Sequence, residues 1–498
     1  MIVIKKLGQL AAAFGLLAAV AQPLFSQAQT GMRTERYAGI YSAALNPAHT
    51  GFMPHPWEIS LFSLDAFVSN RYAYLANTSF PKALRHSEDI TYIGDVAPGE
   101  AKPGAIYQHF FEPGGRIHGI GQFRGGGPAL AFHLGPSVTV GLLGNVRFLA
   151  SSYGIPETLA FANLENLPRF EPRQVRPLAF AGMGWAELGL NLGYRFDNGE
   201  GLSTSIGITP KMLLGFEGVY ANSSDALSFT KFPRDTLYFS NADLEYGLSF
   251  ADVVGDSVPD YDPFRRSGRG IGLDVGVAWS MEDDDSESPN DYLWRAGVSL
   301  LDLGGVRFNQ HSVAYQMRSD SGITVPPDLW NNPSNVDEFT GQLAGAFGSS
   351  LPQSFKADHF RIGLPMALSL QVDYRVRPFL YLSGLWIQRL PLGKHALKRP
   401  NTLAITPRFE HKWVSLSLPV VLSDWRSPRF GLAARLAWLY LGTDNLPGLI
   451  GQQKLGGADL YVGLKVNGFS FGHLSLPRLK GGGGGNRQKR GKIKCYSF

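Results

Sequence analysis

From Phe360 to Val376 the apolar residues Phe360, Ile362, Leu364, Met366, Leu368, Leu370, Val372, Tyr374 and Val376 alternate with Arg361, Gly363, Pro365, Ala367, Ser369, Gln371, Asp373 and Arg375. Successive side chains of a strand point to opposite faces. The spacing therefore predicts one long two-faced strand, about three times the usual strand of about 5–6 residues. The same signature recurs between Trp185 and Phe196, where Leu188, Leu190, Leu192, Tyr194 and Phe196 alternate with Glu187, Gly189, Asn191, Gly193 and Arg195. It recurs again between Gly270 and Met281, and in weaker form at Trp57 to Val68, Val138 to Phe148, Leu202 to Phe216, Tyr292 to Leu303, Phe379 to Arg389, Leu403 to Glu410, Val414 to Leu422, Phe430 to Leu441 and Ala458 to Asn467. With further segments around Ala105 to Leu134 and Asp243 to Ala251, about fourteen strands are expected, an even number within the range of membrane barrels. No helical period of 3.6 competes over a comparable length.

A soluble sandwich also alternates, so composition has to separate the two. The polar faces are mostly Gly, Ser, Thr and Asn with scattered charge, which suits a barrel interior better than a Lys/Glu-covered surface. Aromatic residues gather near strand ends (Trp57, Trp185, Tyr194, Trp279, Tyr292, Trp294, Trp386, Trp413, Trp425, Trp438, Tyr440), as interfacial girdles require. Hydrophobic residues make up 44% and charged residues 17%, yet after the N-terminus no run approaches the ~20 apolar residues of a membrane helix. A closed barrel is then the remaining way to span a bilayer, because an open sheet edge leaves backbone groups unpaired in lipid. The expected class is all-β, a transmembrane antiparallel β-barrel of about 14 strands.

The chain divides by composition. Lys5 and Lys6 precede an apolar run from Leu10 to Val20, and Ser26-Gln27-Ala28 supplies small residues, so 1–28 reads as a cleaved signal peptide and the address as the outer membrane. Residues 57–477 hold the strands, and 478–498 form a Gly-rich basic tail around Gly481 to Gly485. Net charge is +5; setting aside the two leader lysines and the seven tail cations leaves the body at −4. That removes the basic face a nucleic-acid partner needs. The single cysteine, Cys495, excludes an intramolecular disulfide.

Little in the sequence points to catalysis. There is no Gly-x-Ser-x-Gly elbow, His109, His118 and His133 lack metal spacing, and the Gly119 to Gly127 stretch lacks the Lys-Ser/Thr ending of a phosphate loop. No enzyme activity, cofactor or metal is expected. The long connections Arg71 to Gly104, Tyr153 to Gly182 and Asn309 to Asp358 are where recognition would sit. In the last, Val336, Phe339, Leu343 and Phe347 predict a short amphipathic helix capped by Asn335, lying over the barrel mouth as a lid or packed on the rim. With the apolar set facing lipid, Glu187, Asn191, Arg195, Lys211, Asp274, Arg361, Gln371, Asp373, Arg375, Arg435 and Lys465 are expected to face the lumen.

The stretch Tyr37 to Ala48 (YAGIYSAALNPA), followed by Trp57 and Ile59-Ser60-Leu61-Phe62-Ser63, resembles the opening of an outer-membrane barrel family, domain of unknown function 5723. Val298 to Gly304, Leu364-Pro365 with Leu368 to Tyr374, and Gly442 to Leu446 with Gly457 to Gly463 extend the resemblance over nearly the whole mature chain. The Asn46-Pro47-Ala48 triplet is also similar to the N-terminal hatch of long-chain fatty-acid transporters and, more distantly, to type IX secretion accessory barrels. These resemblances imply that 29–56 is a plug inside the barrel, with Asn46, Pro47 and Ala48 as its marker. They imply two functions from different classes: passive uptake of a hydrophobic or small solute, or a non-transporting anchor for a surface or secretion complex. The expected partners are outer-membrane lipid, the barrel assembly machinery, and a hydrophobic solute or an envelope protein.

Overall fold

The computed structural model describes residues 29–467, apart from 72, 94–95, 97–98, 101, 111–117, 154–168, 176, 224–226, 234–235, 250–263, 283–290, 326–335 and 426–427. The leader and the basic tail lie outside the described residues. Fourteen antiparallel walls follow one another in chain order: β1 (Trp57–Asn70), β2 (His118–Gly126 and Ala129–His133), β3 (Val138–Tyr153), β4 (Ala179–Asp197), β5 (Leu202–Asn222), β6 (Gly268–Glu282) and β7 (Tyr292–Phe308). They continue as β8 (Phe360–Gly363 and Ala367–Arg377), β9 (Leu380–Arg389), β10 (Thr402–Glu410), β11 (Val414–Ser417 and Val420–Ser423), β12 (Arg429–Phe430 and Leu432–Leu436), β13 (Leu439–Thr443) and β14 (Gly457–Asn467). β14 pairs back onto β1, from Glu58 opposite Asn467 to Ser69 opposite Gly457, so the sheet closes and has no edge.

Short turns such as Pro378-Phe379 and Asn198 to Gly201 join the strands at the end where β1 starts and β14 stops; the long connections all lie at the opposite end. Outside, a band of exposed Leu and Ile (Leu188, Leu190, Leu192, Ile206, Ile208, Leu382, Leu403, Ile405, Leu416) runs around the barrel. Trp57, Tyr194, Trp279, Tyr374, Phe379 and Trp413 border it at the short-turn end, and Trp386 and Trp425 stand at the other. This is an apolar belt between two aromatic girdles.

The alternation does not run unbroken through Phe360 to Val376. The strand interrupts at Leu364-Pro365-Met366, between the two segments of β8. Pro365 has no N–H for the ladder, and across the break the faces exchange. Val372 and Tyr374 are 56% and 54% exposed, whereas Ile362 is fully buried inside with Phe360 and Leu364. Arg361, expected in the lumen, therefore points outward and is exposed. Trp185, Tyr292 and Tyr440 also depart from the expected girdle: each is buried inside, Trp185 because it shares parity with Glu187.

The long-connection end carries further structure. Pro172–Val175, Leu227–Lys231, Leu237–Ser249 and Ile323–Val325 extend the sheet beyond the barrel, and a four-stranded sheet lies beside it. The helix Val336–Ala346 packs Leu343, Ala344 and Phe347 onto this extension, so it sits on the rim; its cap position 335 is outside the described residues. The segment between β9 and β10 turns inward: Leu397 is buried, and its N–H donates to the Gly363 carbonyl at 3.0 Å.

Candidate functional site

Residues 29–53 run inside the barrel as three short helical pieces, Thr30–Arg33, Arg36–Ala44 and Pro47–Phe52, nearly every residue buried. The segment packs Met32, Ile40, Tyr41, Leu45 and Phe52 against apolar wall residues, and the wall also holds it with polar groups. Thr30 donates its N–H and hydroxyl to Asp444 at 3.2 and 2.8 Å. Arg33 pairs with Asp65 at 3.2 Å, Arg36 with Asp291 at 3.0 Å, and Glu35 with Arg435 at 2.9 Å. Lys465 Nζ pairs with Glu58 at 2.9 Å and also donates to the carbonyl of Ala38 at 3.0 Å. Gly39, at φ 54°, lies where any side chain would strike the Glu58 carboxylate.

Asn46-Pro47-Ala48 occupies the mid-barrel. The residue before a proline is biased to extended backbone, and Asn46 lies at φ −159°, ψ 116°. Its side chain accepts from the Ala48 N–H at 2.9 Å as an N-cap and donates to the Val277 carbonyl at 3.0 Å and to Gln371 Oε1 at 3.1 Å. Gln371 returns a bond to the Leu45 carbonyl at 3.1 Å; Asn191 donates to the Pro47 carbonyl at 3.2 Å, and Ser205 to that of Ala48 at 2.8 Å. One row of the wall beneath the triplet lacks side chains. Gly193, Gly207 and Gly276 are direct neighbours across β4, β5 and β6. A Cβ on Gly207 would stand 2.2 Å from the Ala48 nitrogen, and one on Gly276 would stand 2.1 Å from Asn46 Oδ1. The triplet is seated on a floor of glycine.

Two cavities flank this contact. On the long-connection side lies a small one bordered by Arg33, Leu45, Arg124, Lys211 and Arg399. There Asp302 receives Arg147 through two bonds at 2.9 and 3.1 Å, Lys211 at 2.9 Å, and Arg399; Arg147 also pairs with Glu187 at 3.3 Å, and Lys211 with Asp274 at 2.7 Å. On the short-turn side a second small cavity is bordered by Arg36, Ser42, His49, Arg295 and Asp373. Of the residues expected in the lumen, Glu187, Asn191, Arg195, Lys211, Asp274, Gln371, Asp373, Arg375, Arg435 and Lys465 point inward. Arg195 pairs with Glu282, Arg375 with Asp291 at 3.0 Å, and Asp373 with Arg408 at 2.7 Å.

The segment's own titratable groups and several wall groups were not on that expected list. Glu58, Asp65, Asp302, Arg147, Arg399 and Arg408 all face inward. Glu58 and Asp65 sit in β1 among apolar neighbours, a legible signal; Arg399 comes from a connection, for which alternation gives no parity. Burial presses the imidazoles of His49 and His55 down to about 3, with Arg295 adding to the effect at His49 and Lys465 at His55. Among the described residues no group of three His, Cys, Asp or Glu is placed to hold a metal.

The model of a family of unknown function, DUF5723, matches residues 124–444, and the chain belongs to that family. No curated protein matches the sequence. Among solved structures, a TodX monoaromatic hydrocarbon channel bearing an S2 deletion is similar at 8% identity over 86% of this chain and 94% of that one, with a TM-score of 0.37. A FadL homologue of Pseudomonas aeruginosa is similar at 10% identity over 89% and 98%, with a TM-score of 0.23. The outer-membrane protease OmpT of Escherichia coli is similar at 8% over 82% and 96%, with a TM-score of 0.19.

Proposed function

We propose that this member of DUF5723 is an outer-membrane pore for passive uptake of a small solute, closed at rest by its own N-terminal segment. One observation carries the reading: the segment fills the barrel at Asn46-Pro47-Ala48 while cavities remain on both sides of it. A purely structural filler would be expected to bind through apolar packing. Here the apolar contacts of Met32, Ile40, Leu45 and Phe52 are joined by hydrogen bonds and ion pairs, which water can replace when the segment moves. The charged lining of both cavities supports a polar solute over the hydrophobic one that the family resemblance also allows. The apolar belt and girdles support insertion in the outer membrane, with the long connections outside.

Planar-bilayer recording tests the reading. Wild-type protein should show little conductance, and deletion of Gln29 to Phe52 should open steady single channels. Equal conductance in both would refute the closure. A second reading, an anchor for an envelope complex, draws on the sheet extension and rim helix at the long-connection end. It predicts that partners co-purify with the wild type and are lost when those connections are shortened.

A further inference from the structure

We propose that Arg269, Arg307 and Arg361 form a docking site on the outer wall for the phosphate groups of an anionic lipid. This rests on the outer-membrane reading above, with the long connections outside.

The three residues are directly opposite one another across β6, β7 and β8: Arg269 faces Arg307, and Arg307 faces Arg361. All three are exposed. Their neighbours fix the outward orientation, because Val306, Phe308 and Ile362 are fully buried in the interior and alternation leaves the arginines only the lipid side. Neighbouring strands lie about 4.8 Å apart, and like charges placed directly opposite destabilise a sheet. Among the described residues none of the three has an ion-pair partner. The adjacent carboxylate, Asp358, feels the Arg307 charge but is bonded to His359 Nδ1 at 2.8 Å. Gly305 leaves the room that the Arg361 guanidinium needs: a Cβ there would stand 3.1 Å from Arg361 Nε. The chain thus builds a row of three guanidiniums, and among the described residues no carboxylate is ion-paired with it.

Position identifies the anion. Arg307 lies thirteen positions along β7 from Trp294 in the short-turn girdle. At about 3.3 Å per residue and a tilt of about 40°, it stands roughly 33 Å above that girdle, beyond an apolar band about 25 Å tall. That is the headgroup level of the far leaflet. Two residues below Arg269 on the same face, Ile271 is 77% exposed, a contact for acyl chain. Guanidiniums bind phosphate oxygens through paired N–H donors, so three in a row fit a lipid carrying more than one phosphate, or neighbouring phospholipids.

The test uses full-length protein purified from outer membranes in mild detergent, wild type beside R269Q/R307Q/R361Q and beside R361Q alone. Native mass spectrometry counts the retained phosphate-bearing lipid, and a gel compares unheated with boiled samples. Wild type should retain such lipid. Affinity for added anionic phospholipid should fall on the order of fivefold in R361Q and on the order of 100-fold in the triple variant. R361Q keeps the test decisive if the triple variant does not fold. Equal retention by a correctly folded variant would overturn the site and leave the barrel reading standing. Displacement of the lipid by inorganic phosphate alone would also overturn it, in favour of a free-anion site. Failure of the wild type to enter the outer-membrane fraction would overturn both.

Discussion

Asn46 and Gln371 meet amide to amide inside the barrel, Asn46 Nδ2 donating to Gln371 Oε1 at 3.1 Å while Gln371 Nε2 donates to the carbonyl of Leu45, the residue before Asn46. This exchange ties the N-terminal segment to β8 from both directions. The substitution Asn46→Ala removes the N-cap and leaves the Gln371 oxygen buried without this donor, a loss of about 1–3 kcal/mol. Frequent channel openings should appear in planar bilayers with the heat-modifiable gel band unchanged. A closed variant would mean that other contacts hold the segment.

Gly207 tests the seat without removing a hydrogen bond. In Gly207→Ala the new methyl would meet the Pro47 and Ala48 backbone, which cannot swing away as a flexible side chain can. The barrel should fold while the segment is displaced. Trypsin, added from the short-turn side, should then cleave after Arg33 and Arg36, which are buried in the wild type.

Acid should loosen the segment. Buried in place, His49 and His55 hold their protons only near pH 3, while a released segment exposes imidazoles that titrate near 6.5. The docked state is at full strength above pH 6.5 and loses it as pH falls toward 3, by roughly 2–3 kcal/mol per imidazole at pH 4.5. Open probability should rise between pH 7 and 4.5, and H49Q/H55Q should flatten that rise.

Asp302 holds three cations at once, Arg147, Lys211 and Arg399. Asp302→Asn would leave them short of a buried counter-charge, a loss of about 3–5 kcal/mol. The temperature at which the unheated gel band is lost should drop on the order of 10 °C.

The closed, two-faced barrel was legible because lipid outside and polar groups inside write a period of two along most strands. Alternation misleads where lipid and polar interior do not face each other across the wall. On the long-connection side of Asp302 the interior is itself apolar, with Trp185, Phe308 and Ile362 facing inward. Greasy residues there no longer mark the lipid side, so alternation assigns Arg361 to the wrong face and Trp185 to a girdle. Pro365 was the warning, since a residue without an N–H seldom sits within an uninterrupted ladder. The position of Asn46 came from a family resemblance; its glycine floor did not, because Gly193, Gly207 and Gly276 are adjacent only once the register of three strands is known.

The most direct measurement is the mobility of outer-membrane protein on a denaturing gel, unheated against boiled, because the pore, its closure and the lipid site all require a closed membrane barrel. The account predicts extraction from the outer-membrane fraction by detergent and a faster-migrating unheated band. A protein recovered in soluble form, with one mobility before and after boiling, would contradict it.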